Sequence, residues 1–214
     1  MGPKVETLLR IGGTPFRTNT TQPDRDRLGA LCPSGNMLLE MLQAKDGFYC
    51  FEGALRIFPL RTVDGSWGID DWNAPDLWKA DYCGLADDMF CFAEDIFGGQ
   101  FVFRDQTISY FNPETAELRE MASDLEAWAS NILDDYDFLN GYGFAHQWQA
   151  AHGKLKDRDR LMAITPFSLG GEYQVTNFAA IDSVRLMKSM GNIAHQLHNL
   201  PNGARVRLTI THPA

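Results

Sequence analysis

Long apolar runs, paired cysteines, a surplus of basic charge and the short motifs of common catalytic sites are all missing from this sequence. No stretch approaches the roughly 20 apolar residues that a bilayer-spanning helix needs, and the N-terminus has no charged segment leading into an apolar one. The four cysteines, Cys32, Cys50, Cys83 and Cys91, are irregularly spaced, and no pair forms the C-x-x-C of a zinc knuckle or redox dithiol. Buried free thiols in a cytoplasmic, reducing setting are the expectation. Phosphate cradles are absent too. The Gly-Gly pairs at 12–13, 98–99 and 170–171 belong to neither a G-K-[ST] loop nor a G-x-G-x-x-G fingerprint, so they read as turns. There is no G-x-S-x-G elbow, and no cysteine stands in a local catalytic pattern.

Basic residues are outnumbered, 19 against 28 acidic, for a formal net charge of -9. That balance opposes a nucleic-acid partner held by phosphate neutralisation and suits a basic protein partner, although excess acid also serves solubility alone. What the chain does have is core material: 44% of its 214 residues are hydrophobic and 12% are aromatic. A chain of this size needs no more than one domain with additions.

Residues 1–27 mix Gly, Thr, Asn, Pro and charge without a sustained period and read as a loosely attached arm. From Leu28 the patterns sharpen. In "CPSGNMLLEMLQAKDGF", Ser34 is placed to cap a helix whose Met37, Leu38, Met41 and Leu42 recur at helical spacing, with Gly47 as its stop. Leu55 and Ile57 suggest a short strand. Trp67 to Tyr82 sets Trp67, Trp72 and Trp78 among Asp64, Asp70, Asp71, Asp76 and Asp81, with Pro75 interrupting any long helix. In "FAEDIFGGQFVFRD", Phe92 follows Phe90 in a strand, Asp95 leads into a Gly98-Gly99 turn, and Phe101 and Phe103 alternate in a second strand. Ile108 and Tyr110 add a third, making an antiparallel meander that ends at an Asn112-Pro113 turn.

"SDLEAWASNIL" then carries a Ser123-x-x-Glu126 capping box, and Leu125, Trp128, Ala129, Ile132 and Leu133 follow at one-face spacing. Asp134, Asp135 and Asp137 come where the helix dipole disfavours anions, so they are expected to face water or a partner's cations. Residues 144–152 form a short helix around Trp148. Beyond a mixed-charge linker, alternation resumes around Gly170-Gly171. Asp182 or Ser183 starts a helix striped by Leu186, Met187, Met190, Ile193, Ala194 and Leu197, and a last strand aligns Val206, Leu208 and Ile210.

Candidates for chemistry are thin. His195 and His198 stand at i, i+3, a spacing that lets two imidazoles approach one metal ion, but there is no H-E-x-x-H pattern and the pair shares its helix with a core stripe. Asp87-Asp88 and Glu94-Asp95 are sequence neighbours, and neighbours on a strand point to opposite faces, so neither is a ready-made acid/base dyad. Asp95 reads instead as the cap of the turn before Gly98. No catalytic residue, metal or cofactor is expected.

The capped helix ending in "KDGF", the Trp-containing middle, "FAEDIFGGQFVFR" with "ISYFNPET", and the helix with "LEAWASNIL" together resemble the SUKH superfamily, also called SMI1/KNR4, over roughly residues 28–140. The resemblance implies an α+β fold with a mainly antiparallel sheet flanked by helices. It implies a core at residues 28–143, in which Phe92, Asp95, Gly98, Gly99, Phe101, Phe103 and Trp128 are scaffold, and it leaves residues 144–214 as a C-terminal strand-helix-strand extension. For function it implies a non-enzymatic, immunity-type protein that binds and neutralises a cognate bacterial toxin, often a nuclease or deaminase. Eukaryotic relatives act in cell-wall signalling, so a scaffold or signalling role is the companion alternative, and a metal-dependent hydrolase built on the histidines is the rival. On the immunity reading, the expected partner surface is Asp70, Asp71, Trp72, Asp76 and Trp78 with Asp134, Asp135 and Asp137, because tryptophans anchor interfaces and carboxylates pair with a toxin's Lys and Arg.

Overall fold

The aromatic alternation between residues 90 and 111 builds the middle of an antiparallel sheet. The computed structural model describes residues 1–18, 36–104, 107–201 and 204. Its six-stranded sheet runs in chain order: β1 (Phe48–Cys50), β2 (Leu55–Ile57), β3 (Phe90–Glu94), β4 (Gln100–Arg104), β5 (Thr107–Phe111) and β6 (Leu118–Ala122). Every sheet neighbour is therefore a chain neighbour. Phe90 sits opposite Phe103, Ala93 opposite Phe101, and Phe101 opposite Tyr110, with a bulge between Cys91 and Ala93. Strand β6 was not foreshadowed by alternation, because at the sheet edge only its Ala122 is buried.

Successive side chains of β4 leave on opposite faces, and each face has its own cover. On the Phe101 side, helix α4 (Leu125–Asp134) brings Trp128 to 5.0 Å from the Phe92 ring and 5.5 Å from the Phe101 ring. On the Gln100 side, Trp72 Nε1 donates to Gln100 Oε1 at 2.7 Å. Trp72 ends helix α3 (Ile69–Trp72) and leads a chain of rings through Trp78 and Tyr82 to Phe111. Helix α2 (Asn36–Ala44) buries Leu38, Met41 and Leu42. The expected cap at Ser34, the start at Leu28, Cys32 and the last strand with Val206, Leu208 and Ile210 lie outside the described residues.

The N-terminal segment corrects the expectation of a loose arm. Pro3–Ile11 is helix α1, with Val5 and Leu8 fully buried and with contacts to α4. Its amphipathic spacing is short and interrupted by charge, so it passes for irregular sequence. The capping box is also redrawn. Asp124, not Ser123, caps α4 by accepting from Ala127 N at 2.8 Å. Glu126 reaches instead to α1, where its carboxylate accepts the amides of Lys4 at 2.6 Å and Val5 at 3.1 Å.

After α4 come α5 (Tyr136–Asn140) and α6 (Tyr142–His152), then a hairpin of β7 (Asp159–Ala163) and β8 (Phe178–Asp182), then α7 (Ser183–Leu197). The α+β class thus extends through a second, two-stranded sheet. The hairpin is tied to the main sheet where Leu161 N donates to Ile96 O at 2.8 Å, in the β3–β4 turn. Leu186, Met187, Met190 and Ala194 of α7 enter the main core, whereas Phe144, Trp148, Leu161 and Phe178 form a smaller one around Ile96. Asp182 caps α7 through the amides of Val184 and Arg185. Among the described residues no helix is long and apolar enough to cross a membrane.

Candidate functional site

The β3–β4 turn is built by one carboxyl group. Asp95 Oδ1 accepts the amides of Phe97 and Gly99, both at 2.8 Å, and Oδ2 accepts the Tyr110 hydroxyl at 2.8 Å. Gly98 has φ +81°, a left-handed conformation that glycine adopts without strain. A Cβ on Gly99 would collide with the Tyr110 hydroxyl. Asp95 is 3% exposed, and burial pushes its carboxyl up to about 7 in spite of these donors.

Above that turn opens a groove of about 900 Å³. Phe97, Phe144 and Tyr173 give it aromatic walls, with Phe144 and Tyr173 rings 4.7 Å apart. Asp135, Asp137 and Phe138 form one rim, and Arg119 contributes the only cationic side chain among its lining residues. Phe138 is 74% exposed and Tyr173 59%. The long β7–β8 connection that carries Tyr173 is held by Glu114, a buried carboxylate that accepts the amides of Phe167 at 3.1 Å and Ser168 at 2.5 Å. Asp137 is fixed as well, since its Oδ1 accepts Gly143 N at 2.6 Å. An acidic, aromatic trough of this kind can take a cationic side chain over its rings while the carboxylates balance its charge.

The expected partner-facing residues separate into two groups. Trp72 and Trp78 are corrected: both are fully buried, with Trp78 Nε1 donating to Trp72 O at 2.8 Å, so they anchor the core and cannot meet a partner. Asp70 pairs with Arg61 at 3.5 Å, Asp71 accepts from the Thr62 hydroxyl, and Asp76 is exposed; none of them lines the groove. Asp134 lies 3.6 Å from Lys4 Nζ. Asp135 and Asp137 are the ones the structure brings to the groove. Phe138 and Tyr173 were not singled out from sequence, though a Phe next to three aspartates in "DDYDF" was a usable signal.

A second feature is a buried ion cluster. Glu94 is fully buried between two arginines: its Oε1 lies 2.5 Å from Arg56 Nη2 and 2.5 Å from Arg160 Nε. Glu94 and Arg56 have no exposure and Arg160 has 1%. Arg56 also donates to Ser183 Oγ at 3.0 Å. An arginine in a short apolar strand such as "LRI" is the sequence trace of such a cluster, but its partner on a distant hairpin is not.

Among the described residues, neither the histidines nor the cysteines assemble a reactive centre. His195 and His198 are exposed, and among the described residues no group of three or more His, Cys, Asp or Glu is gathered as a metal cage would need. Burial pushes the Cys50 and Cys91 thiols up to about 12, far from the thiolate a nucleophile requires. Cys83 departs from the expected buried thiol, being exposed at a left-handed turn residue.

No family model and no curated protein matches the chain. Among solved structures, the crystal structure of Atu4351 from Agrobacterium tumefaciens is similar at a TM-score of 0.59 and 15% identity, over 87% of this chain and 88% of that one. At that identity the likeness is one of fold.

Proposed function

We propose that this is a non-enzymatic, immunity-type protein of the SUKH kind, which binds a cognate bacterial toxin and occludes the toxin's working surface. One observation carries the reading: Phe138, 74% exposed, stands on the groove rim beside Asp135 and Asp137. A large apolar side chain held in water beside fixed carboxylates is what a binding anchor looks like before its partner arrives. The net charge of -9 gives long-range attraction for a basic partner, and toxins that act on nucleic acids carry basic surfaces. Within this reading the protein works in the cytoplasm, where its free thiols stay reduced.

The test starts from gene order: this reading expects a gene for a large secreted protein with a variable C-terminal domain immediately upstream, and that domain is to be co-expressed with the chain. The intact chain should restore growth and bind that domain directly. Phe138→Asp, and separately Asp135→Lys, whose side chain caps no helix, should lose protection while melting like the parent. A chain that neither binds nor protects, or groove variants that protect as well as the parent, would refute the proposal.

A further inference from the structure

A second cleft, of about 600 Å³ and sharing no residue with the groove, lies between the turn after β1 and the loop joining α6 to β7. Its walls include Tyr49, Phe51 and Leu155, and its basic residues are Lys154, Lys156 and Arg160. The lysines are exposed, but Arg160 is buried. Its guanidinium rests 5.6 Å from the centre of the Tyr49 ring, Nε pairs with Glu94 at 2.5 Å, and Nη1 donates to Asp159 O at 2.8 Å. Nη2 has no hydrogen-bond partner among the described residues.

The charges around Arg160 do not balance. Two buried guanidiniums, those of Arg56 and Arg160, converge on one oxygen of one carboxylate. Of the other carboxyls near Arg160, Asp159 is only half-buried and is shared with Lys156, and Asp95 is engaged by two backbone amides and Tyr110 and faces the other groove. Of the acids lining the cleft, Glu52 is held by His146 at 2.9 Å and by the Tyr142 hydroxyl at 3.4 Å, and Asp157 is exposed at the mouth. A desolvated cation with an unused donor in a cleft seeks an anion that can reach it.

We infer that this cleft binds a small organic anion, with its phosphate or carboxylate drawn past Lys154 and Lys156 to Arg160 and its apolar body against Tyr49, Phe51 and Leu155. The site is independent of the toxin-docking groove and stands or falls without it. Phe51 and Glu52 are held at φ 52° and 54°, followed by Gly53 at 89°. Three successive left-handed residues fix the shape of the wall before any ligand enters.

Amide NMR titrations of the full chain with AMP and with phenylacetate, beside their uncharged counterparts adenosine and phenylacetamide, test it at millimolar concentrations. At least one anion should shift the amides of residues 49–53 and 154–157 saturably, and its neutral counterpart should not. AMP alone would identify a phosphate ligand and phenylacetate alone a carboxylate. Because replacing Arg160 would break the buried cluster, the variant is Lys154→Gln with Lys156→Gln, both on the surface. It should fold unchanged and weaken binding about tenfold. Absence of binding by both anions, equal shifts with the neutral compounds, or unaltered affinity in the double variant would overturn the inference.

Discussion

Glu126, in the first turn of α4, accepts the backbone amide of Lys4, in the first turn of α1, at 2.6 Å. One carboxylate thus supplies across space the cap that Gly2, with no capping side chain, cannot give α1. Glu126→Ala should cost about 1 to 2 kcal/mol, measured by urea unfolding. Amide exchange should rise first across residues 3–11. Equal protection of α1 in the parent and the variant would refute the role.

The buried cluster predicts an order of severity. Glu94→Gln removes the single shared anion and leaves two desolvated guanidiniums facing each other, at a cost of about 3 to 5 kcal/mol or more. Arg160→Leu leaves Arg56 and Glu94 paired one to one and should cost less. Unfolding midpoints measured side by side would contradict this account of the cluster if the arginine variant were the weaker.

Asp95 predicts a pH dependence. Its folded carboxyl is raised to about 7 from the ordinary 3.8, chiefly by burial. The folded chain therefore keeps a proton that the unfolded chain releases. Stability declines as pH rises from about 4 to about 7, by up to about 1.4 kcal/mol per unit, and levels off above that window. Asp95→Asn retains an acceptor for the turn amides and should flatten this slope. Identical slopes for the parent and the variant between about pH 4 and about pH 7 would remove Asp95 as their source.

Phe138 and Trp72 should behave as opposites. Phe138→Asp is expected to change stability by no more than about 0.5 kcal/mol, whereas Trp72→Ala empties part of the core and should cost about 3 to 5 kcal/mol. Thermal melts of the two variants check both values at once.

The central meander could be read from sequence because Phe, Gly and Asn-Pro there follow the pleat and turn rules locally, and the stripe of α4 did the same for a helix. The site was only half legible. Asp135 and Asp137 signalled exposure by their place beyond a helix end, but Trp72 and Trp78 were drawn toward the surface by neighbouring aspartates. Asp71 and Asp76 turn outward while the rings turn in, a distinction that depends on side-chain direction and not on composition. Glu126 misled for a related reason: the local capping rule was met by Asp124, which freed Glu126 for a partner remote in sequence. Arg56, Glu94 and Arg160 come from three separate segments, so no window along the chain could join them.

The consecutive order of the six strands has a bearing on how the molecule assembles. From β3 to β6 each strand can zip against the one before it at little loop-closure cost, whereas β2 meets β3 only across the long 58–89 connection. The ion cluster is different, since Arg160 arrives on a hairpin made long after Glu94. Until that hairpin docks, the carboxylate and Arg56 remain open to water, and its arrival is the latch that seals the end of the sheet.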